Sequence, residues 1–171
     1  MALHARDDNF IEVRKYRAGS TLVAAALALL FEGVLPKYIP HAELIELPLL
    51  VTVYFSMGRR NPVTALLLGA GIGLAQDAIS HLPLGVYGIA LTVVGYLACW
   101  VGNRINVDMA LGRFGVVFLL YFLERAVVAL IRRFLLEQPV ASPDASWLIA
   151  ALLASALAVV LFRQLDRVSK T

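Results

Sequence analysis

The sequence predicts an all-α integral membrane protein, built as a compact bundle of six transmembrane helices. Hydrophobic residues make up 60% of the 171 residues and charged residues 16%, whereas a soluble domain is about half apolar and about a quarter charged. The apolar residues also gather in runs that approach the roughly 20 residues needed to cross a bilayer. One small domain cannot bury this excess in its own interior, so lipid is the expected surrounding.

The first two apolar runs leave alternatives open. Residues 19–35 follow a basic flank, as a cleaved signal peptide would, but the run contains Glu32 and "LPKYIP" follows it in place of a small-residue cleavage site. This favours a retained first helix. The second run, residues 44–57, is short and has Glu46 and Pro48 near its start. Its helix either includes the preceding "YIPHAE" or is thin for a full crossing.

Four further runs complete the count: residues 62–80, 84–101, 114–131 and 147–162. Pro62 opens the third span, where proline is common in the first helical turn. With six spans, eleven of the fifteen Lys and Arg residues fall on the side of the two termini and three on the other. Positive charge is retained in the cytoplasm. The predicted order is therefore a cytoplasmic segment at 1–18, a six-helix domain at 19–162 and a cytoplasmic tail at 163–171.

Small residues line one face of the third span and one face of the fourth. Helices in lipid gain nothing from burying apolar surface against each other, so their close contact depends on small side chains. The third span carries Ala65, Gly69, Gly73 and Asp77, and the fourth carries a heptad seam of Gly85, Gly88, Thr92, Gly95, Cys99 and Gly102. The two spans are expected to pack as antiparallel neighbours, although part of the seam could instead receive a helix of another protein.

Four charged residues lie deep inside the predicted spans: Glu32, Asp77, Glu124 and Arg125. Such a group costs about 2.5–3.5 kcal/mol or more at mid-span, so a partner is expected. All four are predicted in the outer half of the bilayer, as one intramembrane polar cluster. Glu32 and Asp77 could instead reach the headgroups, and the predicted partner of Arg125 is Glu32, Asp77 or an acid on another protein.

The remaining motifs favour no catalytic or cofactor site. The "GAGIG" stretch at 69–73 lies inside an apolar helix, where the N–H groups are already used and cannot bind phosphate. Asp77 and His81 are one turn apart, but two ligands do not complete a metal site. Cys99 is the single cysteine and is interpreted as a small buried hydrophobe. We therefore expect no enzyme activity, cofactor, metal or nucleic-acid partner.

Residues 47–100 carry a series of motifs along three consecutive spans. They are a proline-led second span with Pro48, a basic turn with Arg59 and Arg60, and a glycine-bearing third span ending in Asp77. A "PLG" element at 83–85 then opens a fourth span that ends near "GYL" at 95–97. Together these motifs resemble the rod shape-determining protein MreD family, and they cover about a third of the chain. Spans five and six resemble the family only in hydropathy.

The resemblance implies a non-enzymatic scaffold of the bacterial inner membrane, with membrane lipid around it, that takes part in cell elongation and lateral peptidoglycan synthesis. Members associate with MreC, a single-span protein with a periplasmic coiled coil, and through it with MreB, RodA and a class B penicillin-binding protein. The family is also similar to the six-helix substrate-binding subunits of energy-coupling-factor vitamin transporters. A subunit of that kind is the competing prediction, and Ala24 and Ala28 match its small docking face. A lipid-handling role for Arg125 is a third possibility.

Overall fold

A computed structural model describes residues 18–34, 46–59, 61–80, 83–104, 110–137 and 145–168. Within these ranges the regular elements are six helices: α1 (Ala18–Val34), α2 (Leu47–Met57), α3 (Pro62–Ile79), α4 (Val86–Arg104), α5 (Ala110–Phe134) and α6 (Ala145–Val168). The prediction of an all-α membrane protein is confirmed. His81 lies outside the described residues.

The helices differ in their capacity to cross a bilayer. Four segments are long and apolar enough to do so: Pro62–Ile79, Val86–Arg104, Leu111–Phe134 and Trp147–Leu165. The first helix has 17 residues and α2 only 11, so α2 extends for about 16 Å at 1.5 Å per residue. Of the two alternatives for the second span, the described residues show the thin one, because the helix begins at Leu47.

The ends of α2 and α3 follow from their local sequence. Pro48 occupies the first turn of α2, where its missing N–H costs nothing. Pro62 plays the same part in α3, and Asn61 caps that helix by accepting a hydrogen bond from the Val63 N–H at 2.9 Å. The helix α2 ends at Met57 and α3 begins at Pro62, so a short connection joins them and the two helices are antiparallel neighbours.

The short helix α2 forms the centre of the bundle. Its residues from Pro48 to Ser56 are all buried, and it packs against each of the other five helices. Tyr54 contacts Phe162 of α6 with ring centroids 5.0 Å apart. The outward face of α1 exposes Leu22, Leu30 and other large apolar side chains, as expected of a helix in contact with lipid. A helix that is apolar on every side, as α2 is, belongs in such an enclosed position.

Polar contacts hold one end of the bundle, where the 58–61 turn meets the start of α1. The Arg59 guanidinium donates to the Thr21 hydroxyl at 3.4 Å, and the Cys99 thiol donates to the Arg59 carbonyl at 3.0 Å. Cys99 is fully buried. We call this end the near end, and the opposite end, where α1, α3 and α5 finish, the far end.

Candidate functional site

Most of the buried polar side chains of the far half come from four helices at one level. Counted from the near end at 1.5 Å per residue, Glu32, Gln76, Asp77 and Glu124 lie about 21–22 Å along their helices. Glu46 lies just before α2, which runs in the opposite direction and ends at the near end with Met57. By the same measure Glu46 is about 17 Å from that near end. The polar residues divide into two groups, one around Asp77 and one around Arg125.

Asp77 caps the start of α4 from the neighbouring helix. Its Oδ2 accepts hydrogen bonds from the N–H groups of Gly85 at 2.8 Å and Gly88 at 3.1 Å, and its Oδ1 accepts from Tyr87 at 3.0 Å. The first N–H groups of a helix have no partner within that helix, and its dipole favours a negative charge there. A fully buried carboxylate is therefore stabilised without a cation.

Glycines lie on both sides of this cap, and the local geometry favours each of them for a different reason. Gly85 has a φ of +109°, a conformation that residues with a Cβ rarely adopt. A Cβ at Gly88 would lie 3.1 Å from the Leu74 side chain and 3.7 Å from the Asp77 carboxylate. The "PLG" element and Asp77 thus form one structural unit, because the glycines let the chain turn and approach the acid that caps it.

The small-residue faces predicted from the sequence bring α3 and α4 into backbone contact. A Cβ at Gly69 would overlap the Leu91 carbonyl, and a Cβ at Gly73 would overlap the carbonyl of Tyr87. On the facing helix, a Cβ at Gly95 would lie 2.7 Å from the carbonyl oxygen of Ala65. The Thr92 hydroxyl donates to the Gly88 carbonyl at 2.6 Å. This part of the seam is filled by α3.

The part of the α4 seam toward the near end is filled by α2. A Cβ at Gly102 would overlap the Met57 carbonyl, and a Cβ at Gly95 would also approach the Ser56 hydroxyl at 3.4 Å. The chain's own helices therefore occupy positions that could have received a helix of another protein.

The second group, the polar cluster, consists of Glu32, Glu46, Gln76, Glu124 and Arg125. Arg125 forms an ion pair with Glu46, and its guanidinium lies 5.4 Å from the centre of the Tyr121 ring. Glu46 reaches this depth because α2 is short and starts inside the bundle. It is 3% exposed, so a buried pair supplies the counter-charge that Arg125 needs.

Two more acids complete the polar cluster. Glu32 on α1 accepts a hydrogen bond from the side-chain amide of Gln76 at 2.7 Å. Glu124 is 1% exposed and lies within hydrogen-bonding distance of Glu46. Buried acceptor oxygens without a donor remain on four members, Glu32, Glu46, Gln76 and Glu124. The cluster therefore contains more acceptors than the donors in the described part of the chain satisfy.

The structure brings three of the four predicted cluster residues together and sets the fourth apart. Glu32, Glu124 and Arg125 share the polar cluster, whereas Asp77 bonds to the α4 backbone. Sequence reasoning did not assign Glu46 or Gln76 to the cluster. A signal for Glu46 was present, because the proline two residues later marks a helix start. A helix that starts there begins inside the bundle and places Glu46 there as well. A signal for Gln76 was its amide beside Asp77 in an apolar span.

The chemistry of this end is that of buried hydrogen bonds and charge pairing. Among the described residues, no group of His, Cys, Asp and Glu has an arrangement that could hold a metal ion. Arg132 and Arg133 lie in the last turn of α5, where a cation interacts favourably with the helix dipole. The arrangement is suited to fixing the helices relative to one another.

Comparisons with protein-family models, with curated proteins and with solved structures find no match for this chain.

Proposed function

We propose that the protein is a non-enzymatic membrane scaffold of the bacterial cell-elongation machinery, like members of the MreD family. The observation that carries this proposal is the unit formed by α3, Asp77 and α4. Three of the motifs through which residues 47–100 resemble the family fall on this unit: two glycines at backbone contacts, the capping acid and the "PLG" turn. Each motif has a packing role there, which is the role that a scaffold needs from its residues.

The proposed partners follow from the same resemblance. An MreC-like single-span protein binds the bundle, and through it MreB, RodA and a class B penicillin-binding protein are coupled to the scaffold. The outward apolar side chains of α1, including Leu22, Leu27 and Phe31, are available to a partner helix or to lipid. The α3–α4 seam is already occupied by the chain's own helices.

The competing proposal is a substrate-binding subunit of an energy-coupling-factor vitamin transporter. That reading used Ala24 and Ala28 as a small docking face on the first helix. Ala28 is 5% exposed and Ala24 packs against the core, so this face points into the bundle. The scaffold is therefore the better supported of the two proposals.

Depletion of the protein in the rod-shaped bacterium that encodes it tests the proposed function. We expect cells to widen and become round, and wild-type chain to restore rods. A Gly73→Leu chain, which cannot close the α3–α4 contact, restores them poorly, whereas Gly71→Leu restores them because open space surrounds Gly71. Unchanged cell shape together with lost uptake of a vitamin would contradict the scaffold and support the transporter subunit.

We also propose that the chain crosses the inner membrane six times, with α2 forming only part of one crossing, and that both termini lie in the cytoplasm. Leu84 is 74% exposed at the far end, and Asn61 is exposed in the near-end turn. A membrane-impermeant thiol reagent added to spheroplasts should label Leu84→Cys but should label Asn61→Cys only after permeabilisation. The native Cys99 is buried and gives the background. Labelling in the opposite order would contradict this orientation.

A further inference from the structure

The polar cluster holds three carboxyl groups and one guanidinium. Arg125 pairs with Glu46 and is the one cation, among the described residues, whose charge acts on both Glu32 and Glu124. If all three acids were ionised, the cluster would carry two uncompensated negative charges inside the bundle. Uncompensated buried charge costs several kcal/mol per ion even after the structure relaxes. Among the described residues, the cluster therefore needs a further positive charge.

The space around the carboxyl oxygens limits what that charge can be. Glu46 and Glu124 are 3% and 1% exposed, and the Oε2 atom of each is buried without an N–H or O–H donor from the described residues. A water molecule has no access to these oxygens, so neither an ammonium group nor a hydrated metal ion fits between them. A proton needs no additional volume.

The contact between Glu46 and Glu124 also indicates that the additional positive charge is a proton. Glu46 and Glu124 lie within hydrogen-bonding distance of each other, and two carboxylates have acceptors only. A hydrogen bond between two carboxyl groups requires one of them to carry a proton. A proton on either acid would supply the hydrogen that this contact needs.

We propose that Glu46 and Glu124 form a proton-binding site in which one proton is shared between the two carboxyl groups. The groups that face this site are Glu32 from α1, Gln76 from α3, Tyr87 from α4, and Tyr121 and Arg125 from α5. With the proton bound, one negative charge remains in the cluster. Glu32, the third acid, is partly exposed and accepts a hydrogen bond from the Gln76 amide.

The shared proton joins two helices that otherwise touch little. The helices α2 and α5 meet in a small contact, and the link between Glu46 and Glu124 adds to the Arg125–Glu46 ion pair in joining them. Release of the proton would leave two adjacent carboxylates with one guanidinium between them. Occupancy of the site therefore controls how closely α5 packs on α2.

Infrared spectroscopy of the full-length protein in lipid nanodiscs tests this site. At neutral pH we expect the carbonyl stretch of a protonated carboxyl group, shifted on exchange into deuterated water. Glu124→Gln should abolish the band while keeping the fold, because the glutamine amide donates to Glu46 in place of the proton. Glu137→Gln, which removes an exposed acid of the same end, and Glu32→Gln should retain it.

A wild-type spectrum without this band, or a band of full intensity in Glu124→Gln, would overturn the proposal. Thermal unfolding at neutral and alkaline pH gives a second reading. Wild-type protein should lose stability as the pH rises and the two carboxylates repel, and Glu124→Gln should lose less. An equal loss in both proteins would also count against a proton shared by this pair. Neither measurement depends on the proposed role in cell elongation, so the two proposals can fail separately.

Discussion

Asp77 shows how one side chain can remain ionised in an apolar bundle. Its carboxylate accepts three hydrogen bonds from the backbone of α4, so the charge is balanced by groups that have no freedom to leave. Hydrogen bonds to a charged group contribute about 1.5–3 kcal/mol each in water-soluble proteins. The acid is therefore a structural element that joins the end of α3 to the start of α4.

Removal of this cap is expected to destabilise the whole bundle. Asp77→Ala leaves three N–H groups without an acceptor, and each such buried group costs about 1–3 kcal/mol. Asp77→Asn, which keeps one acceptor oxygen, should lose less. The single cysteine, Cys99, is fully buried, so its reaction with a thiol-sensitive dye on heating reports unfolding. We expect wild-type protein to have the highest melting temperature, Asp77→Asn a lower one and Asp77→Ala the lowest.

Glu137→Ala provides the matched control for this series, because it removes an exposed acid near the far end and should melt like wild type. Equal melting temperatures for wild type and Asp77→Ala would mean that the cap contributes no stability.

The sequence contains enough information to predict the α3–α4 pairing but not the partners of its buried charges. Repeated small residues at helical spacing specify a close helix contact, and Gly69 and Gly73 do lie on the α4 backbone. The partner of Arg125 depends on where α2 begins. If α2 began a few residues earlier, Glu46 would lie within the helix and its side chain would have a different position. Asp77 similarly was expected either in a polar cluster with Arg125 or at the headgroups, and the backbone N–H groups that it bonds have no signature in side-chain patterns.

At the scale of single helices, two glycines of α3 provide a matched pair. Gly73 faces the Tyr87 carbonyl, whereas nothing lies within 4 Å of a Cβ placed at Gly71. Gly73→Ala should lower the melting temperature because α3 and α4 must separate. Gly71→Ala should leave it unchanged or raise it slightly, since alanine is favoured over glycine in a helix by about 1 kcal/mol. The same Cys99 assay measures both variants.

A similar melting temperature for these two variants would contradict the packing of α3 on α4. Since they differ by two positions on one helix, effects on insertion or expression are shared between them. A difference is then specific to the face that contacts α4.

At the scale of the molecule, the short central helix explains why the bundle carries charge inside. The helix α2 spans only part of the bundle, and the polar cluster lies at the level where it begins. There the other helices contribute acids, an amide and one guanidinium. The near end is closed by Arg59 and Cys99, and the far end by Asp77. A protein fixed in this manner is suited to holding partners in a defined arrangement.

Affinity purification of the full-length protein from its native membrane, in mild detergent, tests the central claim most directly. The account predicts that a single-span protein with a periplasmic coiled coil is recovered in stoichiometric amount, and that Gly73→Leu reduces its recovery while Gly71→Leu does not. Recovery of an ATPase cassette with a bound vitamin, and no single-span partner, would contradict it.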